Sequence, residues 1–202
     1  MSTQRRRVLA DTKMHDGVYI EGLDGKAYTV DNWQGGSAAN SVIVASGDVK
    51  FRIALIRPPY QMTISLEYDC PFENYMTAIS DYAAAQNDYN GSGNTANILK
   101  VDSSTDCAAG YCNAFIFPDG KTKGCLPSFG QLKLVHKNKT AVNAALNKCG
   151  GVAMVETYYW SSTFFGASGN YRYFWIINWN SGGYDYVEKD SVYYVRPFAD
   201  LT

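Results

Sequence analysis

The sequence is poor in the side chains that build metal and disulfide sites. It has only two histidines, His15 and His136, and five cysteines, Cys70, Cys107, Cys112, Cys125 and Cys149, with no C-x-x-C among them. A structural zinc site draws its ligands from close Cys/His pairs, so no metal is expected. An odd set of scattered cysteines argues for reduced core thiols over a disulfide framework. No apolar run reaches about 18 residues, so no membrane insertion is expected. A surplus of positive charge is lacking as well. The net charge is −1 and the one basic cluster is Arg5-Arg6-Arg7, read as part of a solvated tail. Proteins that bind duplexes carry a basic surplus or stripe, so a nucleic-acid partner is not expected either. No apolar run follows those arginines, and no secretory signal is read there.

The sharpest deficit is local. Between Thr157 and Val187 there is no Met, Lys, Glu or Gln, and apart from tyrosines only Arg172 and Asp185 carry ionisable groups. At the chain's average usage roughly four of those missing residues belong in a stretch of that length. Aromatics and amides take their place, in "YYWSSTFFGASGNYRYFWIINWNSGGYDY". Half of the 16 tyrosines fall between Tyr158 and Tyr194, with Trp160, Trp175 and Trp179 of the four tryptophans.

What is present fits one globular domain: 202 residues, 46% hydrophobic and 18% charged. Two β-hairpins open the chain. Val18 and Ile20 lead to an Asp24-Gly25 turn, and "SVIVASGDVKFRIALI" turns at Gly47-Asp48 before Pro58-Pro59 ends the run. Tyr75, Ile79 and Tyr82 are helically spaced, which predicts a helix in "ENYMTAISDYAAAQNDY". A loop and short helix follow in "NGSGNTANILKV". Ala108, Cys112 and Phe115 predict a further helix, with Ser103 or Ser104 as N-cap. Ser128 stands three residues before Gln131, a capping-box spacing that predicts a helix over 128–136. Thr140 caps a second helix over 140–149, closed by Gly150-Gly151. Antiparallel strands are expected near 173–180 and 192–197. The division read from this is a tail over 1–14 and a domain over 15–202, with hairpins in 15–60 and the core in 61–202.

Four pieces stand in a telling order: Leu126-Pro127-Ser128, Tyr159-Trp160-Ser161-Ser162-Thr163, Trp175 to Gly182, and Val195-Arg196-Pro197. Together they resemble a family of bacterial and phage C-type-lectin-fold domains, over roughly residues 94–199. The resemblance implies an α+β C-type lectin fold with two main helices and small antiparallel sheets. That fold also hosts the variable proteins of diversity-generating retroelements, in which a reverse transcriptase rewrites adenines at Asn-type codons. Codons so rewritten never yield Met, Lys, Glu, Gln or Trp, which matches the local deficit and leaves the tryptophans as fixed scaffold.

The implied function is ligand or receptor binding through a hypervariable face, about 158–190, on a phage virion (tail or fibre tip) or a bacterial cell surface. The partner would be a protein or glycan receptor on a target cell. Tyrosine offers contact area with few rotors, and Asn and Ser adapt their hydrogen bonds, so the composition suits a paratope. Strand alternation assigns Trp175, Ile177 and Trp179 to the core and Ile176, Asn178 and Asn180 to the binding surface. The candidate face therefore comprises a loop part, Phe164, Phe165, Ser168, Asn170, Tyr171, Arg172 and Tyr173. Its strand-and-turn part is Ile176, Asn178, Asn180, Tyr184, Asp185 and Tyr186. These positions are expected to form one exposed patch.

Other chemistries are disfavoured. Calcium-dependent sugar binding needs clustered oxygens, yet no Glu-Pro-Asn occurs and Trp179-Asn180 is followed by Ser181 where the lectin motif has an acid. Formylglycine-generating enzymes share the fold but need paired late cysteines, and none follows Cys149. Ser161, Ser162 and Thr163 have no histidine near them in sequence. They are expected to bond backbone, and neither catalysis nor a cofactor is expected. The alternative that stays open is a structural virion or pilus subunit with a non-diversified lectin-like domain; a homo-oligomer is open in either case.

Overall fold

The structure is a computed structural model and describes residues 14–201. Arg5-Arg6-Arg7 and nearly all of the expected tail lie outside the described residues. Both hairpins form as read: β1 (Gly17–Gly22) with β2 (Ala27–Thr29), and β3 (Ala39–Ser46) with β4 (Val49–Ile53). Their turns need glycine, since Gly25 and Gly47 take φ of 73° and 57°. A late strand, β8 (Phe198–Asp200), pairs with β4 and completes a five-stranded sheet of order β2-β1-β3-β4-β8. The two ends of the described chain thus lie in one sheet.

That sheet carries a half-hidden ion pair. The Glu21 carboxylate receives Arg52 through Nε and Nη2 at 2.9–3.1 Å, together with Asn40 Nδ2 and Ser41 Oγ at 2.7 Å each. Burial pushes the Glu21 carboxyl up, but the Arg52, Ser41 and Asn40 bonds outweigh it and hold it below its usual value of 4.5. A carboxyl depressed in the folded state contributes stability that is complete above its unfolded pKa. That contribution is lost as pH falls through the folded value. Denaturant unfolding should therefore show Glu21→Gln losing on the order of 2 kcal/mol near neutrality, with the gap to the native chain closing below pH 4.5.

Five helices follow: α1 (Tyr82–Ala85), α2 (Gly91–Ile98), α3 (Ala108–Ala114), α4 (Phe129–Lys137) and α5 (Lys139–Lys148). A second sheet of β5 (Tyr158–Ser168), β6 (Tyr171–Asn178) and β7 (Tyr184–Glu188), in that order, comes next. At the start of α4 the Gln131 side chain accepts the Ser128 N–H at 2.9 Å, as the capping-box spacing predicts. Gly150 (φ 77°) ends α5, and Gly151 N–H returns to the Leu146 carbonyl at 2.7 Å. The fold is mixed α+β with small antiparallel sheets, and no described helix is long and apolar enough to cross a membrane. All five cysteines are free thiols, four of them buried.

Four local expectations fail. The helix expected across 73–89 shrinks to a 3-10 turn at Phe72–Asn74 and the single turn of α1. Backbone bonds decide this: Ile79 N–H donates to the Phe164 carbonyl and the Ile79 carbonyl accepts Trp175 Nε1, so the segment is held extended against β5. Cys107 takes the N-cap position of α3, while Ser104 Oγ accepts from Asp106 N–H in the preceding turn. Asn138, not Thr140, precedes α5, which starts directly after α4. Residues 192–197 are no strand; they make isolated bridges, Met62 with Tyr193 and Tyr159 with Tyr194, before β8.

Two apolar clusters sandwich the second sheet. One gathers Ile20, Val42, Phe51, Phe129, Leu132, Val135, Leu146, Tyr159, Trp175, Ile177 and Trp179 between the first sheet, α4, α5 and one face of β6. The other gathers Ile64, Phe72, Ile98, Cys112, Trp160, Phe164, Phe174 and Ile176 against the opposite face. Strand β6 is therefore core on both sides from Phe174 to Ile177.

Candidate binding face

The sequence motifs hold this site in place. Ser161 Oγ donates to the Trp175 carbonyl at 2.7 Å, and Ser162 N–H donates to the Pro127 carbonyl at 2.8 Å. Thr163 Oγ1 accepts Phe129 N–H at 2.8 Å and donates to Asp88 Oδ2 at 2.6 Å, while Ser128 Oγ donates to the Asp88 carbonyl. All three residues are fully buried, but their hydroxyls bond backbone only in part: Ser161 Oγ ties β5 to β6, Thr163 Oγ1 ties it to the start of α4, and Ser162 Oγ has no hydrogen-bond partner among the described residues. His136 packs edge-on against Trp179, 5.4 Å between centroids. Burial, then Lys133 and Lys139, lowers its pKa.

The register of β6 and β7 builds the face. Trp175 stands opposite Tyr186, Ile177 opposite Tyr184, and Tyr173 opposite Glu188, and residues directly opposite share a face. On β5 an extra residue sits between the pairs Phe164–Phe174 and Gly166–Tyr173, a β-bulge that delivers Phe165 to the Trp175 side. Phe165 stacks on Tyr186 at 3.7 Å and 8°, and Tyr82 of α1 stacks on Tyr184 at 3.9 Å and 11°. Trp175 lies beneath, 5.4 Å from Phe165, 5.7 Å from Tyr184 and 5.1 Å from Phe129. It is 3% exposed, whereas Tyr184 and Tyr186 are 45% and Tyr171 is 55% exposed. Lys133 donates to the Gly182 carbonyl at 3.1 Å with its ammonium 5.6–5.7 Å from the Tyr82 and Tyr184 rings. Each stacked ring thus has a packed side and an open side.

No family model, curated protein or solved structure matches this chain. What the face can do rests on its geometry and on the sequence that builds it.

That geometry divides the expected patch. Phe165, Tyr171, Tyr173, Tyr184 and Tyr186 come together on the Trp175 side. Phe164 and Ile176, expected at the surface, are each 1% exposed in the opposite cluster with Phe72, Phe174 and Trp160. Alternation put Ile176 opposite Trp175 correctly, but the segment from Ile64 to Met76 covers that second face. Asn178 is half-buried and its Oδ1 accepts the N–H groups of Asn180 and Ser181, so its side chain is spent on the turn. In that turn Gly182 (φ 73°) lies so close to His136 that a Cβ would stand 2.5 Å from Cε1. Arg172 is drawn to the other side as well, with two 2.7 Å bonds to Glu73 and one to the Gly169 carbonyl. Ser168 and Asn170 are exposed at the β5–β6 hairpin end, Asn180 is exposed in the turn after β6, and Asp185 is exposed on the Ile176 side of β7.

Tyr82, Phe129 and Lys133 belong to the face and were missed. They come from α1 and α4, and no local pattern announces a contact with β7. Two cavities, of 330 and 240 Å³, include none of Tyr171, Tyr173, Tyr184 and Tyr186 in their walls. The rings of Tyr171, Tyr184 and Tyr186 stand exposed on the sheet. Among the described residues no group of three or more His, Cys, Asp or Glu is placed to hold a metal ion.

Proposed function

We propose that the chain is a receptor-binding protein. It presents a hypervariable aromatic face on a C-type lectin scaffold, carried on a phage virion or bacterial surface and diversified by a retroelement. The observation that carries this reading is the gathering of Tyr171, Tyr173, Tyr184 and Tyr186 on one exposed face over a buried Trp175. Clustered exposed aromatics mark interaction sites. Here the rings of Tyr184 and Tyr186 are already stacked, so little side-chain freedom is left to lose on binding. A flat aromatic surface suits a protein or glycan surface better than a small molecule, which needs a concave site. The scaffold reading is supported by the four motifs, by the α4–α5 pair, and by the return of β8 to the N-terminal sheet. The diversification reading is supported by the missing Met, Lys, Glu and Gln and by the placing of five candidate positions on one face.

The test separates folding from binding. Tyr171→Ala should cost within about 0.5 kcal/mol of stability, and Tyr184→Ala or Tyr186→Ala about 1 kcal/mol each, because those two rings are stacked. Binding of labelled protein to target cells should fall about tenfold for each single change. A folded variant with all four tyrosines replaced that still binds would place the site elsewhere. The coding DNA gives a second check: Asn-type codons at these positions, a near-copy template repeat and a neighbouring reverse-transcriptase gene are expected. Their absence would leave a structural subunit as the better reading.

A further inference from the structure

Strand β7 ends its sheet, and among the described residues no strand pairs with its outer side. The pairing of Asn178 N–H with the Gly183 carbonyl and of Lys189 N–H with the Arg172 carbonyl sets the phase of the β6–β7 ladder. In that phase Asp185 and Val187 turn their backbone groups to β6, while Tyr184, Tyr186 and Glu188 turn theirs outward. An exposed edge of this kind is a template for another strand. One outward donor is already taken: Tyr186 N–H is held by Asp185 Oδ1 at 2.8 Å.

We infer that the outer edge of β7 is a self-pairing surface and that Asp185 is its gate. The occupant is β7 of a second copy of this chain, laid antiparallel about Tyr186. In that arrangement Tyr186 meets its own counterpart and Tyr184 meets Glu188, so each outward N–H faces an outward carbonyl, that of Glu188 being shared with Ser191 N–H, which it accepts at 3.0 Å. The arrangement is self-complementary, as a two-fold contact requires. The tyrosine rings of both copies fall on one face of a continuous six-stranded sheet, adding apolar contact across the join. Asp185 opposes this in two ways. Its carboxylate occupies the central donor, and its charge would lie near that of the second copy. Asp185 is also one of the positions expected to vary, so the residue there would set the assembly state, although its side chain lies on the Ile176 side and not on the tyrosine face. The gate itself stands on the edge geometry and does not depend on the receptor-binding reading.

The experiment uses the full chain, with sedimentation velocity over a dilution series and amide hydrogen exchange on the same samples. The native chain is expected to stay monomeric. Asp185→Ala, a change at an exposed position, should leave the melting temperature nearly unchanged and produce a dimer in which the Tyr184 and Tyr186 amides become protected. Asp185→Asn keeps an acceptor for Tyr186 N–H and should stay monomeric. In the Asp185→Ala background, Tyr186→Pro removes the central outward donor and should restore the monomer. A monomeric Asp185→Ala protein would overturn the inference, as would a dimer whose Tyr184 and Tyr186 amides exchange freely. A dimer formed equally by Asp185→Asn would overturn the gate.

Discussion

Replacing Trp175 by alanine should lower the unfolding free energy by about 3–5 kcal/mol and should abolish the proposed receptor binding in the same stroke, although only 3% of Trp175 is exposed. The indole fills the space between Phe129 and Phe165, and it touches Tyr82, Tyr184 and Tyr186 from below. Its Nε1 donates to the Ile79 carbonyl at 2.7 Å, pinning the extended segment that leads into α1 and hence Tyr82. Removal therefore opens a large cavity and strands a carbonyl, and it also takes away the wall behind both stacked pairs. Trp175→Phe separates these effects. It keeps most of the apolar volume and loses the hydrogen bond, so a cost of about 1–2 kcal/mol is expected, with the stacks and part of the binding retained. Urea unfolding measures the first quantity, near-ultraviolet circular dichroism the ring packing, and cell binding the last. A loss below about 1 kcal/mol for the alanine variant would mean that the indole is not the support it is taken to be.

Features of the fold that depend on short-range chemistry were legible in the sequence. Glycine at positive φ placed the turns at Gly25 and Gly47, and the Ser128–Gln131 spacing placed the start of α4. The burial of Trp175 and Trp179 followed from alternation along the strand, and Trp160, read as fixed scaffold from the resemblance, is buried as well. Features that depend on what lies across from a strand were not. Alternation along β6 separates Trp175 from Ile176, but it cannot say that both sides are covered. Ile176 and Phe164 were therefore placed outside when Phe72 and Trp160 hold them inside. The tyrosines of β7 join the Trp175 side through a register with β6 that single-strand reading does not contain. Tyr82 was read as one mark of a long helix. Its actual work, stacking on Tyr184, depends on the Ile79 backbone being recruited by β5 and Trp175 instead. The candidate site was thus legible in composition and in its broad place, and only partly in its membership.

Arg196, in the Val-Arg-Pro motif, should be the most costly charged side chain to remove. Its guanidinium is fully buried, and among the described residues no carboxylate forms an ion pair with it. Backbone carbonyls surround it instead: Nη1 donates to Ala54 at 2.9 Å and Leu55 at 3.4 Å, and Nη2 donates to Val152 at 2.7 Å and Ala153 at 3.3 Å. The side chain thereby clips the exit of β4 to the segment that leaves α5, the two connections that hold the first sheet against the helices. Arg196→Ala leaves those carbonyls facing a cavity, and a loss of about 3–5 kcal/mol is expected. Arg196→Met refills the volume without restoring a donor and should recover only part of it. Arg196→Lys offers donors from a single point and cannot span both segments, so it too should fall short. The pH dependence distinguishes this site from Glu21. Burial lowers the Arg196 pKa to about 10, and a cation depressed in the folded state costs stability below that value and is relieved only above it. Its removal should therefore give the same loss at pH 5 as at pH 8, whereas the effect of Glu21→Gln disappears on acidification. Denaturant unfolding of both variants from pH 8 down to below pH 4.5, where the Glu21 carboxyl takes its proton, is the measurement. An Arg196→Ala protein within about 1 kcal/mol of the native chain would show that the carbonyl cage is not what holds the two connections together.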